Sequence, residues 1–252
     1  MEEFFLATQS DAEAYFGRLN QARELSRRAV QSALRNDAKE PAALLQAAGA
    51  IHEAELGNPA QARQDATAAL SLAPGRDVEI LAALALARSG DAARAQIIVD
   101  KLNADFPLST IVQSYWLPTI RAAIELNRGN ASKTVETLQV VAPYDLGNPQ
   151  PGYWTLYPVH LRGLAFLQAH QGPAAAAEFQ KVLDHQGLAQ NSLVLALAHL
   201  GLARAYGLDA AKDPSVRDKA RAAYQDFFAV WKDADPDLSV LKEAKAEYAK
   251  LQ

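Results

Sequence analysis

The sequence contains no cysteine. That absence excludes a disulfide framework, a thiolate metal site and a cysteine nucleophile. Long apolar runs are missing as well, since none approaches the ~18 residues that a membrane-spanning helix needs. The first residues, Met1 to Leu6, lack the basic region and long apolar stretch of a signal peptide. We therefore expect a soluble domain without membrane insertion, either cytoplasmic or in the extracytoplasmic part of a membrane-anchored parent.

An excess of basic charge is also missing. The chain has 25 basic and 29 acidic residues, for a formal net charge of −4. Because nucleic-acid-binding domains present a basic patch or stripe, we expect no nucleic-acid partner. The sequence has no Gly-x-Ser-x-Gly nucleophile turn and no glycine-rich phosphate loop. These absences predict a chain that is not an enzyme.

Metal-binding patterns are incomplete. None of the 5 histidines falls in a His-Glu-x-x-His arrangement. Asp233, Asp235 and Asp237 imitate the start of a calcium loop, but Leu238 stands where the turn needs glycine and Ala244 where it needs glutamate. Capping of the final helix by these aspartates is the better interpretation. We predict neither a metal nor a cofactor.

Helix-forming residues make up much of what is present. Alanine, leucine, glutamine, glutamate, arginine and lysine dominate, while aromatic residues account for only 8 % of the chain. Strand-like alternation of apolar and polar residues is hard to find. The composition predicts an all-α fold.

Two segments of the chain resemble each other at a spacing of 33 residues, as from position 57 to position 90. The matched positions in the first segment are Gly57, Ala62, Ala66, Ala69 and Pro74, and in the second Gly90, Ala95, Val99, Leu102 and Pro107. This spacing is typical of a two-helix repeat. The glycines predict left-handed turns between helices, and the prolines predict helix ends.

Weaker copies extend the pattern in both directions, from Gly17 to Ala220. We predict a single domain over residues 1–252, with six helix-turn-helix units at roughly 1–36, 41–74, 76–107, 109–143, 154–187 and 191–236 and a capping helix at 237–251. Small residues are expected where helices approach closely, with larger ones such as Phe179 filling the gaps: Ala62, Ala69, Ala95, Gly163 and Gly201. Helix starts are expected at Asn58-Pro59, Gly172-Pro173 and Asp213-Pro214.

The repeated glycine, alanine and proline positions resemble the tetratricopeptide repeat. That resemblance implies a right-handed superhelical solenoid whose concave face binds peptides or other partners. Residues 113–122, 156–159 and 179–185 are similar to the C-terminal repeat region of bacterial eukaryotic-like serine/threonine protein kinases. The kinase motifs themselves are absent from this chain. The resemblance therefore implies the non-catalytic sensor or docking region of a larger signalling protein.

An aromatic cluster around units four and five supplies the candidate binding residues. The repeat frame points five of them toward the concave face: Trp116, Tyr157, His160, Asn127 and Gln168. Tyr153 and Trp154 belong to the same cluster, beside the loop. One interpretation is that the rings pack the Pro/Gly-rich loop at 142–153 against the array. The other is an aromatic-lined recognition site.

Two functions follow from these patterns. The first is a protein–protein interaction scaffold that binds a protein or peptide segment in the concave groove. Because Ile51, Ile80 and Leu84 line that groove, it suits an apolar helix or strand. The alternative is a small-molecule-sensing repeat domain with a pocket beside Trp116, Trp154 and Tyr157. An open channel favours the first function, and a pocket of about 300–1,000 Å³ with converging polar groups favours the second.

Overall fold

The computed structural model describes residues 1–147, 149, 155–211 and 213–252. Across these residues the fold is helical and has no strand, which confirms the all-α prediction. The helices are α1 (Glu2–Tyr15), α2 (Leu19–Arg35), α3 (Lys39–Glu55), α4 (Pro59–Leu72), α5 (Arg76–Arg88), α6 (Ala92–Asp105), α7 (Leu117–Asn127), α8 (Ala131–Leu138), α9 (Tyr157–Gln168), α10 (Gly172–Asp184), α11 (Gln186–Ala189), α12 (Leu193–Gly207), α13 (Pro214–Val230) and α14 (Ser239–Ala249). None of these helices is both long enough and apolar enough to cross a membrane.

The helices pack as consecutive pairs. The partners are α1 with α2, α3 with α4, α5 with α6, α7 with α8, α9 with α10, and α12 with α13. Successive pairs also pack against each other, as α3 does against α5 and α10 against α12. The partners run antiparallel, since Ser10 Oγ near the end of α1 donates to the Ala22 carbonyl near the start of α2 at 2.8 Å.

In each of the first four pairs, a glycine in the left-handed conformation lies in the turn between the two helices, as predicted. Gly17, Gly57, Gly90 and Gly129 have φ angles of +72°, +85°, +86° and +84°. Glycine adopts this region without the steric cost that a Cβ imposes, so the chain can reverse within two or three residues. In the fifth pair His170 occupies the equivalent place at φ +55°.

Each of the six predicted units contains a helix pair, with three differences in detail. In the unit predicted at 109–143, a π turn at Val112–Trp116 directly precedes α7. Pro118 explains it, because a residue without an N–H cannot bond the carbonyl one turn earlier. The same unit ends in a 3₁₀ turn at Gln139–Tyr144, and the short helix α11 lies between the fifth and sixth pairs.

Small residues lie where helices meet, as predicted. Ala62, Ala69 and Ala95 are fully buried. A Cβ on Gly163 would lie 2.7 Å from the Phe179 ring, and one on Gly201 would lie 2.5 Å from it. The ring of α10 therefore fills the space that the glycines of α9 and α12 leave open.

The two ends of the array meet. α1 packs against α12, and the indole Nε1 of Trp231 donates to the Tyr15 carbonyl at 2.9 Å. Asp235 bridges the same seam, because its N–H donates to Gly17 O at 3.0 Å and its Oδ2 accepts the Asn20 N–H at 2.8 Å. An open repeat array makes contacts only between neighbouring repeats. This array instead closes on itself.

Closure fills the inner face. All residues from 78 to 87 in α5 are buried, including Ile80 and Leu84, and Ile51 of α3 is buried with them. The sequence predicts that these positions line an open concave groove for a protein or peptide. That prediction is wrong here, because the first helices of the pairs pack against one another across the interior.

Candidate functional site

The residues predicted to form an aromatic recognition site lie in the core. Trp116 and Tyr157 have no exposed surface, and His160 is 2 % exposed. The prediction that these three side chains face an open groove is wrong, because all three are buried. Tyr153 and Trp154 lie outside the described residues.

Tyr157 and His160 belong to a buried polar network around Glu55. The Tyr157 hydroxyl donates to Glu55, and Arg88 Nε donates to Glu55 Oε1 at 2.6 Å. His160 Nε2 lies 3.6 Å from Glu55 Oε2, beyond hydrogen-bond distance. Burial alone would raise the pKa of Glu55, but the charge and hydrogen bonds of Arg88 together with the neighbouring His160 outweigh burial and hold that pKa well below its usual range. The network ties α3, α5 and α9 together inside the molecule.

Asn127 and Gln168 are structural links between pairs. They belong to a set of residues at one repeat position, two before the left-handed turn residue: Glu55, Arg88, Asn127 and Gln168. Asn127 Nδ2 donates to the carbonyls of Ala87 and Arg88 at 3.0 and 2.8 Å, so it caps the end of α5. Gln168 Nε2 reaches Leu126 O near the end of α7 at 3.4 Å. Each pair thereby satisfies helix-end carbonyls of the pair before it.

The Pro/Gly-rich loop predicted at 142–153 is anchored at its described start. Asp145 is 2 % exposed and accepts hydrogen bonds from Arg162 Nη2 at 2.5 Å and from Lys181 Nζ at 2.7 Å. Arg162 also bonds Glu178 at 3.0 Å. These contacts attach the segment after α8 to α9 and α10.

An accessible recess of about 620 Å³ lies between the first two helix pairs. The α1–α2 pair has a small core of its own, made by Leu6, Leu25 and Ala29, and Leu45 of α3 packs against it. The lining of the recess comes from α1, α2, α3 and α4: Ser10, Leu19, Ala22, Arg23, Ser26, Arg27, Val30, Gln31, Gln46, Gly49, His52, Glu53, Gln61 and Asp65.

One wall of the recess carries a bidentate ion pair. Arg23 Nε lies 2.6 Å from Glu53 Oε1, and Arg23 Nη2 lies 2.7 Å from Glu53 Oε2. The carboxylate side chain is 4 % exposed, whereas that of Arg23 is 42 % exposed. This pair fixes α2 against α3 and neutralises the Glu53 charge.

The opposite wall carries the carboxylate of Asp65. Gln46 Nε2 donates to Asp65 Oδ1 at 2.7 Å, and Gln61 Nε2 donates to Asp65 Oδ2 at 3.1 Å. Burial raises the pKa of Asp65, and the Glu53 charge adds to this effect, while the two amide hydrogen bonds and the Arg23 charge oppose it. The direct hydrogen-bond donors to Asp65 are both neutral amides.

The carboxylate of Asp11 and the imidazole of His52 form a pair between the recess and the contact of α1 with α12. His52 Nε2 is 3.4 Å from Asp11 Oδ1. His52 lines the recess and also a small cleft of about 40 Å³, beside Ala189 to Ser192 at the α11–α12 junction. Burial raises the pKa of Asp11 to about 7 and lowers the pKa of His52 to about 4, so both environments oppose charge.

Sequence reasoning missed this recess, although a signal was present. Gln46, Gly49 and Glu53 follow one another at intervals of three and four on α3, which places polar and space-giving positions on one helix face. That stripe lies next to the apolar face containing Ala47 and Ile51. A recess between two helix pairs also depends on how the pairs pack against each other. No pattern within a single helix predicts that packing.

Comparison with protein-family models, with curated proteins and with solved structures finds no match to this chain. The candidate site therefore stands on its own geometry. It offers two carboxylates, two arginines and several amide and hydroxyl groups in one accessible recess, which is an arrangement suited to binding a polar ligand.

Proposed function

We propose that the protein is a non-catalytic recognition module, a tetratricopeptide-like right-handed array that binds a segment of a partner protein between its first two helix pairs. The observation that carries the proposal is the recess of about 620 Å³ with its converging polar groups. The burial of the inner face supports it, because the concave surface has no open groove along residues 78–87.

The shape of the recess favours an extended segment. Its α2 wall runs from Leu19 to Gln31, which spans roughly 18 Å at 1.5 Å per helical residue. An extended chain covers that distance with about five residues. Arg27 and Gln31 are exposed at the rim and lie where a passing backbone would contact them.

A small-molecule sensor is the second candidate. The observation in its favour is the volume, which falls within the range of about 300–1,000 Å³ that is common for ligand sites. The sequence places such a pocket beside Trp116 and Tyr157, yet both side chains lack exposed surface. A sensor function would therefore use the recess beside Asp65 and Glu53 instead.

The similarity of residues 113–122 to the C-terminal region of bacterial serine/threonine kinases leads us to propose a docking or sensor role within a larger signalling protein. The isolated chain should not bind ATP, since the sequence lacks the glycine-rich loop and the metal-holding motifs. Isothermal calorimetry with Mg-ATP tests this point. Saturable heat would contradict a non-catalytic role.

The binding proposal is tested by blocking the recess. Arg27→Trp and Gln31→Trp, both at exposed positions, cover its rim. Ser132→Phe on the exposed face of α8 is the matched control. Proteins captured from the source cell by the parent chain and by Ser132→Phe should be lost with both blocking variants, while thermal unfolding stays near that of the parent. Undiminished capture by a folded Gln31→Trp variant would contradict the proposal.

A further inference from the structure

We propose that the recess accepts a cationic group, the ammonium or guanidinium of a lysine or arginine side chain in the bound segment, at the carboxylate of Asp65. This inference rests on the proposed function, because it names the chemistry that the recess recognises.

The lining of the recess carries two carboxylates, Glu53 and Asp65, and two arginines, Arg23 and Arg27. Of its two carboxylates, Glu53 is neutralised by the bidentate contact with Arg23 at 2.6 and 2.7 Å. The second arginine, Arg27, is engaged by Glu24 at 2.7 Å on the exposed face of α2. Asp65 receives only the two amide hydrogen bonds, and no arginine or lysine of the described chain forms an ion pair with it. A carboxylate charge in a half-buried recess attracts a cation more strongly than one in bulk water does.

The remaining hydrogen-bonding capacity around Asp65 consists mainly of acceptors. An ionised carboxylate has about four lone-pair sites, and the amides of Gln46 and Gln61 occupy one on each oxygen. Because both amides turn their N–H groups toward Asp65, their carbonyl oxygens remain as further acceptors. An ammonium carries three donors and a guanidinium five, so either group complements this lining.

The recess also has space for a side chain, since its volume is about 620 Å³. Gly49 lies on the same wall of α3 as Gln46 and Glu53 and contributes no side chain. A Cβ at Gly49 would lie 3.1 Å from Ser26 Oγ, so α2 and α3 approach closely at this point. Val30 and Ala22 on the α2 wall provide apolar contact for the methylenes of a lysine or arginine.

A second Gln–Asp pair, Gln96 with Asp100, shows how the surroundings of Asp65 differ from those of an ordinary contact within one helix. Gln96 donates to Asp100 at 2.8 Å, four residues along α6, just as Gln61 donates to Asp65 along α4. Asp100 is exposed and lacks a second amide from another helix. Burial also raises the pKa of Asp65, so the folded chain retains an electrostatic cost that a bound cation would relieve.

The experiment uses the full chain labelled with ¹⁵N and titrated with capped peptides. One peptide is acetyl-Ala-Ala-Lys-Ala-Ala-amide, and two others carry Nε-acetyl-lysine or norleucine in place of the lysine. Free L-lysine is the fourth probe. Asp65→Asn is the test variant, and Asp100→Asn is its matched control on α6. Amide shifts of the parent should concentrate on the recess residues of α2, α3 and α4 when the lysine peptide is added.

We expect binding to weaken roughly tenfold or more in Asp65→Asn, since a charge-assisted hydrogen bond contributes about 1.5–3 kcal/mol, and to be unchanged in Asp100→Asn. Equal affinity for the lysine, acetyl-lysine and norleucine peptides would overturn the cation inference while leaving the recess as the site. Free L-lysine binding as tightly as the capped peptide would overturn the assignment to a protein segment. Peptide-induced shifts confined to other surfaces would contradict both the inference and the proposed function.

Discussion

At the scale of single residues, buried charge decides how the first helices of the pairs fit together. The Glu55 side chain is 3 % exposed, and it receives donors from Arg88 on α5 and Tyr157 on α9. A buried carboxylate is costly in isolation, but two other helices of this fold supply groups that compensate it. Sequence alone shows Glu55 as one more acidic residue at a helix end, because its partners lie 33 and 102 positions away.

Removing this carboxylate should destabilise the fold strongly. Glu55→Gln leaves Arg88, whose side chain is 15 % exposed, without its counter-charge. We expect a loss of about 3 kcal/mol in the free energy of unfolding, measured by urea denaturation. Glu24→Gln removes a partner from the exposed pair with Arg27 and should change stability by less than about 0.5 kcal/mol. Equal effects of the two variants would mean that the Glu55 network is exposed in solution.

The Asp11–His52 pair predicts a specific pH dependence. Burial raises the pKa of Asp11 from its ordinary value of 3.8 to about 7. Between these two values the folded state binds more protons than the unfolded state, so the contribution of Asp11 to stability falls as the pH rises. Asp11→Asn removes that proton uptake. The variant should gain stability relative to the parent between pH 4 and pH 7, by at most about 1.4 kcal/mol per pH unit.

The measurement is the free energy of unfolding of both chains from pH 4 to pH 8. Burial lowers the pKa of His52 to about 4, and this histidine is present in both chains, so the difference between them isolates the aspartate. A difference that does not vary with pH would show that the Asp11 carboxylate is ionised without cost.

At the scale of the elements, glycine and alanine positions set how closely the helices approach. Gly163 of α9 and Gly201 of α12 both contact the ring of Phe179 from α10, and this ring is fully buried. These residues could be predicted from the sequence, because small residues at fixed repeat positions signal close helix contacts. The turns at Gly57 and Gly90 could be predicted for the same reason.

Gly201→Ala should overpack this contact. A Cβ there would lie 2.5 Å from Phe179 Cε1 and Cζ, so the ring or the helix must shift. We expect a net loss of about 1–3 kcal/mol, even though alanine is the better helix former. Gly207→Ala at the end of the same helix, where a Cβ would meet nothing within 4 Å, should be neutral or slightly stabilising.

Calorimetric melting of the two glycine variants measures both effects. Adding Phe179→Leu to Gly201→Ala should recover part of the loss, because the smaller side chain makes room for the new methyl group. Fully additive effects of Phe179→Leu and Gly201→Ala would contradict a direct contact between the ring and Gly201.

At the scale of the whole molecule, closure determines which surfaces are available for recognition. The contact of α1 with α12, together with the Asp235 bridge to Gly17 and Asn20, buries the inner face and leaves the recess beside α2 accessible. The repeat pattern predicts neighbouring contacts only, since each unit specifies how it packs on the next. Whether six units close depends on small rotations accumulated over all of them, and no local motif encodes that sum.

The repeat frame does not anticipate the burial of the candidate binding residues. Trp116, Tyr157 and His160 are core residues. Asn127 and Gln168 are the last residues of α7 and α9 and bond carbonyls of the preceding pair. The recess beside Asp65 lies between two helix pairs, so it depends on how those pairs pack together.

A cross-link between the two ends of the array tests closure most directly. The chain has no cysteine, so Asn20→Cys and Asp235→Cys would introduce its only two thiols. The Asn20 N–H lies 2.8 Å from Asp235 Oδ2, and a disulfide requires Cα atoms within about 7 Å of each other. Mild oxidation of the 20/235 pair should give a disulfide-linked monomer with faster mobility on a non-reducing gel and an unchanged circular dichroism spectrum. The control that pairs Asn20→Cys with Asn103→Cys on α6 should form no intramolecular disulfide. Free thiols or only intermolecular dimers from the 20/235 pair would show that the array is open and that its inner face is available to partners.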